Sequence, residues 1–476
     1  MKHILILITA LLLGFNSRLA AVEATKPNII LILVDDMGYG DPGCYNSQSK
    51  IATPHIDRLA REGMRFTDAH APGPLCHPSR YGLMTGQHPF RIDVSKWPIQ
   101  PLIKKDQATI ASVLKTAGYR TAMVGKWHLG FEESGYEKVM PGGPVDRGFD
   151  TYFGFRASTD IPPYFYLRGD RAVMPPTNHI AEHHTEGLAP IQGEFWKGGG
   201  IAPDVELKNV LPRLTDEAVA VIHNHAKSGR AKPLLLYFAP TGPHTPWLPS
   251  AEFQGRSAAG MFGDFTMMVD AMIGRVLAAL DETKLCDNTL LLFTSDNGPV
   301  WYPEDVRRTG HDSAGGLRGM KNSHWEAGHR MPFIVRWPGR VNPGSTSAHT
   351  ICFTDVLATL AEASGATLAA DAGPDSFSFL PVLLGTQPAD KPVRESLAVG
   401  RSIRFGSWKY IEGREPELFM RPGSKTIPAP DKPPGQLFHL GEDPRETKSL
   451  ADEKPEIVTK LQAELVRIRK ASRTRP

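Results

Sequence analysis

Four apolar runs that each close on charged or amide residues constrain this chain more than any other feature. "PNIILILVDDMGYGD" (27–41) ends on Asp35 and Asp36. "YRTAMVGKWHLG" (119–130) ends on Lys126 and His128, "PLLLYFAPTGPHTPW" (233–247) leads to His244, and "NTLLLFTSDNGP" (288–299) ends on Asp296 and Asn297. Uninterrupted aliphatic and β-branched residues suit parallel strands covered on both faces. Helical patterns such as "TIASVLKTAG" and "FTMMVDAMIGRVLAALDET" lie between them. Strand, polar loop and helix in repetition predict an open α/β sheet. In such a sheet the ligand site lies beyond the carboxyl ends of the strands. One polar ending is ordinary turn chemistry, but the recurrence points to a shared site.

With 476 residues, the chain is long enough for a large α/β body and a smaller companion. From about residue 394 the texture changes to short strand patterns, "SIRFGSWKYI" and "GQLFHLGEDPRETKSLA", with a Pro- and Gly-rich loop between them. "PEIVTKLQAELVRIRKA" follows as an amphipathic helix. The expected division is 1–24, 25–393 and 394–476. The first segment, "MKHILILITALLLGF" followed by "RLAAVEA", has the charge, apolar core and small residues of a secretory signal, with cleavage near Ala21 or Ala24. Its apolar stretch is short for a spanning helix. A periplasmic or secreted protein without a stable membrane span is expected. The net charge of +3 carries no basic run, so nucleic acid is not an expected partner. Cys44, Cys76, Cys286 and Cys352 contain no CxxC spacing, and an exported chain permits pairing among them.

Asp35, Asp36, Asp296 and Asn297 offer only oxygen donors. That set suits a hard cation, calcium ahead of magnesium, rather than zinc.

The run Cys76-His77-Pro78-Ser79-Arg80, continuing to Thr85-Gly86, resembles the maturation signature of the type I, formylglycine-dependent sulfatases of the alkaline-phosphatase-like superfamily. "PNIILILVDDMGYGD", "GKWHLG", "PHTP", "SDNG" and "GMKNSHWEAGHRMPF" match that family's pattern in its order, and "LFHLGEDPRETKSLA" resembles its C-terminal subdomain. The resemblance implies a large mixed, mainly parallel sheet flanked by helices, with a small α+β C-terminal subdomain. It also implies that Cys76 is oxidised to Cα-formylglycine by a maturating enzyme. The hydrated aldehyde has two hydroxyls: one attacks sulfur, and the other allows the aldehyde to re-form as sulfate leaves. Pro78 fits a first helical turn, which would put residue 76 at a helix N-terminus suited to an anion.

By the same resemblance, Asp35, Asp36, Asp296, Asn297 and an oxygen of modified residue 76 would hold the cation. Arg80 and Lys126 would steady the hydrate, His128 would take the second hydroxyl's proton, and His244 and Lys321 would bind sulfate. His244 is the expected donor to the leaving oxygen, and Ser158 falls where the family often has another polar sulfate-site residue. Ala327 stands where glycine is usual, and Gly242 where other small or polar residues occur; neither change removes a chemical group. The loops "STDIPPYFYLRGDRAV" (158–173) and "WYPEDVRRTGHDSAGGLRG" (301–319) combine aromatic rings with charged groups suited to a sugar. Asp160 and His311 are the expected sugar contacts, with Arg318 beside them. The expected activity is therefore hydrolysis of a sulfate ester of a carbohydrate. The alternatives are a phosphonate or phosphate monoester hydrolase of the same superfamily and a sulfated-glycan binder without turnover.

Overall fold

The computed structural model describes residues 26–98, 100–388, 390–413 and 435–475. The expected signal segment with Ala21 and Ala24, and most of the Pro- and Gly-rich loop near the C-terminus, lie outside the described residues.

The four apolar runs and one more segment form five adjacent parallel strands. Their order across the sheet is Thr289–Ser295, Asn28–Val34, Leu234–Ala239, Arg120–Lys126 and Thr151–Phe155. Asn28–Val34 is buried along its whole length, as its unbroken aliphatic pattern requires. Phe333–Arg336 adds antiparallel to Thr289–Ser295, and Met64–Phe66 and Ser345–Ser347 extend that edge. Tyr166–Arg168 and Arg171–Ala172 extend the other edge, making a mixed sheet of ten strands. Gly125 lets two strands approach at the centre: its φ is +119°, and a Cβ there would lie 1.9 Å from the Ala239 carbonyl oxygen.

Helices flank this sheet. Gly260–Glu282 buries Phe262, Phe265, Val269, Ile273, Val276 and Leu280, a helical stripe, against helices Val210–Lys227 and Pro54–Glu62. Ile110–Thr116 starts at a capping box in which Thr109 and Ser112 satisfy each other's backbone N–H groups. It packs with Cys76–Thr85 and Val356–Ser364. Beyond the large sheet, Ser396–Val399, Ser402–Phe405, Trp408–Ile411 and Gln436–His439 form a separate antiparallel sheet. Helix Pro455–Lys470 covers it with Leu461, Leu465 and Ile468, packed on Ile403, Tyr410 and Leu437.

One helix start is held from outside. The carboxylate of Asp270 accepts from His55 N (3.2 Å) and Ile56 N (2.8 Å), at the first turn of Pro54–Glu62. Burial pushes this carboxyl up to about 7, against the pull of those two N–H groups. Its folded pKa lies above the unfolded one, so its contribution to stability is full below about pH 4 and lost as pH rises through about 7. Between about pH 5 and about pH 8 the parent should lose more than about 1 kcal/mol of unfolding free energy that Asp270→Asn does not lose. Urea titrations of both proteins at the two pH values measure this.

Candidate active site

The carboxyl ends of the five parallel strands carry the polar residues that the sequence singles out. Asp35 and Asp36 follow Val34, Lys126 closes its strand, and Asp296 and Asn297 follow Ser295. His244 arrives on the loop after Ala239, and Ser158 and Asp160 follow Phe155. Asp35 N donates to Gly242 O (3.0 Å), which ties the His244 loop to the first strand. Gly242 sits so close to Val269 that a Cβ would be 2.6 Å from its Cγ2, so the lack of a side chain there has a packing reason.

Cys76 opens helix Cys76–Thr85, whose N-cap, Leu75, supplies no side-chain acceptor. The first-turn N–H groups are therefore left to a neighbouring anion. The Cys76 Sγ is 3.6 Å from Asp35 Oδ1. Burial, and then the charge of Asp296, pushes the thiol far above its usual range. A thiol held protonated is a poor nucleophile, so the unmodified side chain is not suited to attack.

Around it, cations and carboxylates alternate. Lys126 Nζ donates to Asp35 Oδ2 at 2.5 Å. Arg80 bonds Asp296 Oδ2 through Nε (2.9 Å) and donates from Nη1 to Lys126 O (2.9 Å). Lys321 Nζ donates to both oxygens of Asp36, at 2.7 and 2.8 Å. His244 Nε2 is 3.6 Å from Asp36 Oδ2. All of these groups are buried. Burial alone would discharge Lys321, but Asp36 overrides it and holds the ammonium above its ordinary range. Burial raises and Lys126 lowers the Asp35 carboxyl, with a net lowering, so it is ionised at neutral pH.

Two clusters of described residues have a metal-capable geometry. In one, Asp35, Asp36, Cys76 and His244 each offer a donor within 4.8 Å of the others. Asp296 joins it through Asp36 N, which donates to its Oδ1 (3.2 Å), and Asn297 through Nδ2, which donates to Asp36 Oδ1 (2.6 Å). The remaining oxygen of Asn297, Oδ1, is buried without a hydrogen-bond partner. An orphaned amide oxygen beside three carboxylates is a donor set that fits a hard cation. In the other, His70, Glu326 and His329 converge, but Lys409 of the small sheet already fills that space. Its Nζ is 2.8 Å from Glu326 Oε1, 3.3 Å from His329 Nε2 and 2.9 Å from Glu446 Oε1.

His128 lies in the left-handed region, with φ +61°, and its Nδ1 faces Ser158 Oγ at 3.4 Å. Burial, reinforced by Lys126, holds its imidazole well below the usual range, so it is neutral at neutral pH. Asp160 is buried with Oδ1 unpartnered, 3.9 Å from His244 Nδ1. One expected sugar contact, His311, is corrected. His311 is fully buried, its Nε2 2.8 Å from Asp41 Oδ1 and its Nδ1 accepting from Lys50 N. Both ring nitrogens are spent on the protein, so the imidazole braces a loop. Arg318 donates to Glu446 O (2.6 Å) and lies over the Trp325 ring at 3.9 Å, which holds the loop before Lys321 against the small sheet's neighbourhood. Trp97, in "VSKWPIQ" where no motif marks it, stacks its indole on the His128 ring with centroids 4.2 Å apart. The four cysteines are all free.

A sequence model of the family described as Sulfatase matches residues 27–366. The chain is 36% identical to the N-acetylgalactosamine-6-O-sulfatase of Bacteroides thetaiotaomicron, over 95% of each chain. It is 35% identical to human arylsulfatase A, over 82% of this chain and 73% of that protein. A solved sulfatase structure described for glycosaminoglycan metabolism by Bacteroides thetaiotaomicron superposes with a TM-score of 0.81 at 33% identity, over 94% of this chain and 100% of that one. The chain belongs to the sulfatase family, whose members are sulfuric ester hydrolases.

Proposed function

We propose that the protein is an exported sulfatase that removes sulfate from a sulfated carbohydrate, using a Cα-formylglycine made from Cys76 by a maturating enzyme, with calcium bound beside it. The observation that carries this is the position of residue 76: a buried helix N-terminus, in contact with Asp35 and surrounded by Arg80, Lys126, Lys321, His128 and His244. The unmodified thiol is held protonated there, whereas a hydrated aldehyde at that position supplies two hydroxyls. Asp35, Asp36, Asp296 and the free Oδ1 of Asn297 would hold the cation, which when bound supplies positive charge for the nucleophile and the sulfate.

Arg80 and Lys126 fix the carboxylates of Asp296 and Asp35 and steady the reacting residue. Lys321 and His244 stand beside Asp36, placed to offset charge on the sulfate oxygens. His244 donates to the leaving oxygen. His128, neutral and facing Ser158, accepts a proton from the second hydroxyl. Asp160 is next to His244 with an unspent buried oxygen, a group placed to accept a sugar hydroxyl. The relative of Bacteroides thetaiotaomicron makes a 6-sulfated N-acetylgalactosamine the first substrate to try. Export rests on the sequence of residues 1–24; among the described residues, no helix is long and apolar enough to cross a membrane.

Asp160→Ala tests the carbohydrate reading. It is expected to lower kcat/KM on the sulfated sugar by about tenfold to 100-fold, the value of a buried hydrogen bond to substrate, and to change an aryl sulfate by less than about threefold. Equal losses on both substrates would remove Asp160 from sugar recognition.

A further inference from the structure

We propose that Trp97 is a positioning residue for His128: one face of its indole covers His128 and His77 together and fixes the plane of the imidazole beside residue 76. This rests on the reading of His128 as the base.

Three ring pairs define the arrangement. The Trp97 and His128 centroids are 4.2 Å apart at 9°, Trp97 and His77 are 5.1 Å apart at 12°, and the two imidazoles are 6.0 Å apart at 9°. Planes in van der Waals contact lie about 3.5 Å apart, so rings on opposite faces of an indole would have centroids about 7 Å apart or more. The observed 6.0 Å excludes a sandwich. The imidazoles lie side by side under a single indole face. His77 follows residue 76 directly, so this cover joins the start of the nucleophile's helix to the base.

His128 needs such a restraint. Its backbone is in the left-handed region, tied by its N–H to Arg156 O (3.0 Å), and among the described residues its side chain has one polar contact, to Ser158 Oγ at 3.4 Å. One long hydrogen bond leaves the ring free to turn about χ2, and a flat face against it removes that freedom. The indole N–H is buried and has no partner among the described residues. Phenylalanine would fill space there without leaving a buried donor unpaired. What the indole adds is a face wide enough for two rings.

The test compares Trp97→Leu and Trp97→Phe in the formylglycine-bearing protein, with kcat and KM on a sulfated sugar and on an aryl sulfate. Imidazole NMR of the same proteins, with the His128 signal assigned by its loss in His128→Asn, reads the stack without turnover. Trp97→Leu is expected to lower kcat about tenfold on both substrates with KM within about twofold, and Trp97→Phe to recover kcat to within about threefold of the parent. The upfield ring-current shift of His128 should vanish in the leucine variant and persist in part with phenylalanine. A KM increase confined to the sugar, with kcat unchanged, would make Trp97 a substrate contact and overturn the proposal. So would a His128 signal identical in parent and Trp97→Leu. If the parent releases no sulfate, the reading of the whole site fails and this proposal with it; an active parent with an equally active Trp97→Leu overturns this proposal alone.

Discussion

Cys76→Ala is expected to lower sulfate release by about 10⁴-fold or more, because it removes the atom that bonds to sulfur rather than a group that assists it. The fold should barely register the change. Among the described residues Sγ has one polar contact, 3.6 Å from Asp35 Oδ1, and the helix N-terminus is built by the backbone. Losing one buried sulfur from a small side chain should cost about 1 kcal/mol or less. Initial rates, with thermal melts on the same samples, separate the two effects. A variant that melts with the parent yet has no activity is the expected result. Residual activity above about a hundredth of the parent would mean that another group attacks.

Asp36→Ala should strongly destabilise the protein. The Asp36 carboxylate accepts from Lys321 with both oxygens and from Asn297, and all three residues are buried. Without it, the buried Lys321 ammonium loses its contacting counter-charge and keeps only the attraction of Asp35 and Asp296, which costs about 3 kcal/mol. Asp36→Ala/Lys321→Met removes both halves of the pair and should recover more than half of that loss, while sulfate release stays below about 10⁻³ of the parent. Urea titrations in the presence of a chelator measure the stability cycle. Equal stabilities of the single and double variants would show that the ion pair is not what holds this part of the site.

Much of this site is legible in the sequence because its residues follow strands. Asp35, Lys126 and Asp296 stand at or just past the end of a continuous apolar run, and a parallel sheet brings such ends together without further information. The fifth parallel strand, Thr151–Phe155, is harder to see, since "TYFGF" is short and broken by Gly154, yet it carries Ser158 and Asp160. The edge strands of two to four residues are too short for any period to show. His311 shows a different limit. Its loop is rich in charge, as a binding loop would be, but charge also braces loops, and sequence cannot tell whether a partner is a sugar or Asp41. Trp97 was invisible for the converse reason: its role depends on what its ring covers, and stacking between residues 97 and 128 leaves no spacing to read. The Lys409 contact to Glu326 is of the same kind, made by a residue of the small sheet reaching into the large body.

The aldehyde at residue 76 carries the proposed chemistry, and the most direct test of it is a titration of activity against its occupancy. Preparations with graded conversion of Cys76, made by varying co-expression of a formylglycine-generating enzyme, would be assayed for sulfate release from a 6-sulfated N-acetylgalactosamine with calcium present. Peptide mass gives the converted fraction in each. A rate proportional to that fraction, passing through zero at no conversion, is the predicted result. A rate independent of conversion, or no release from fully converted protein, would contradict it.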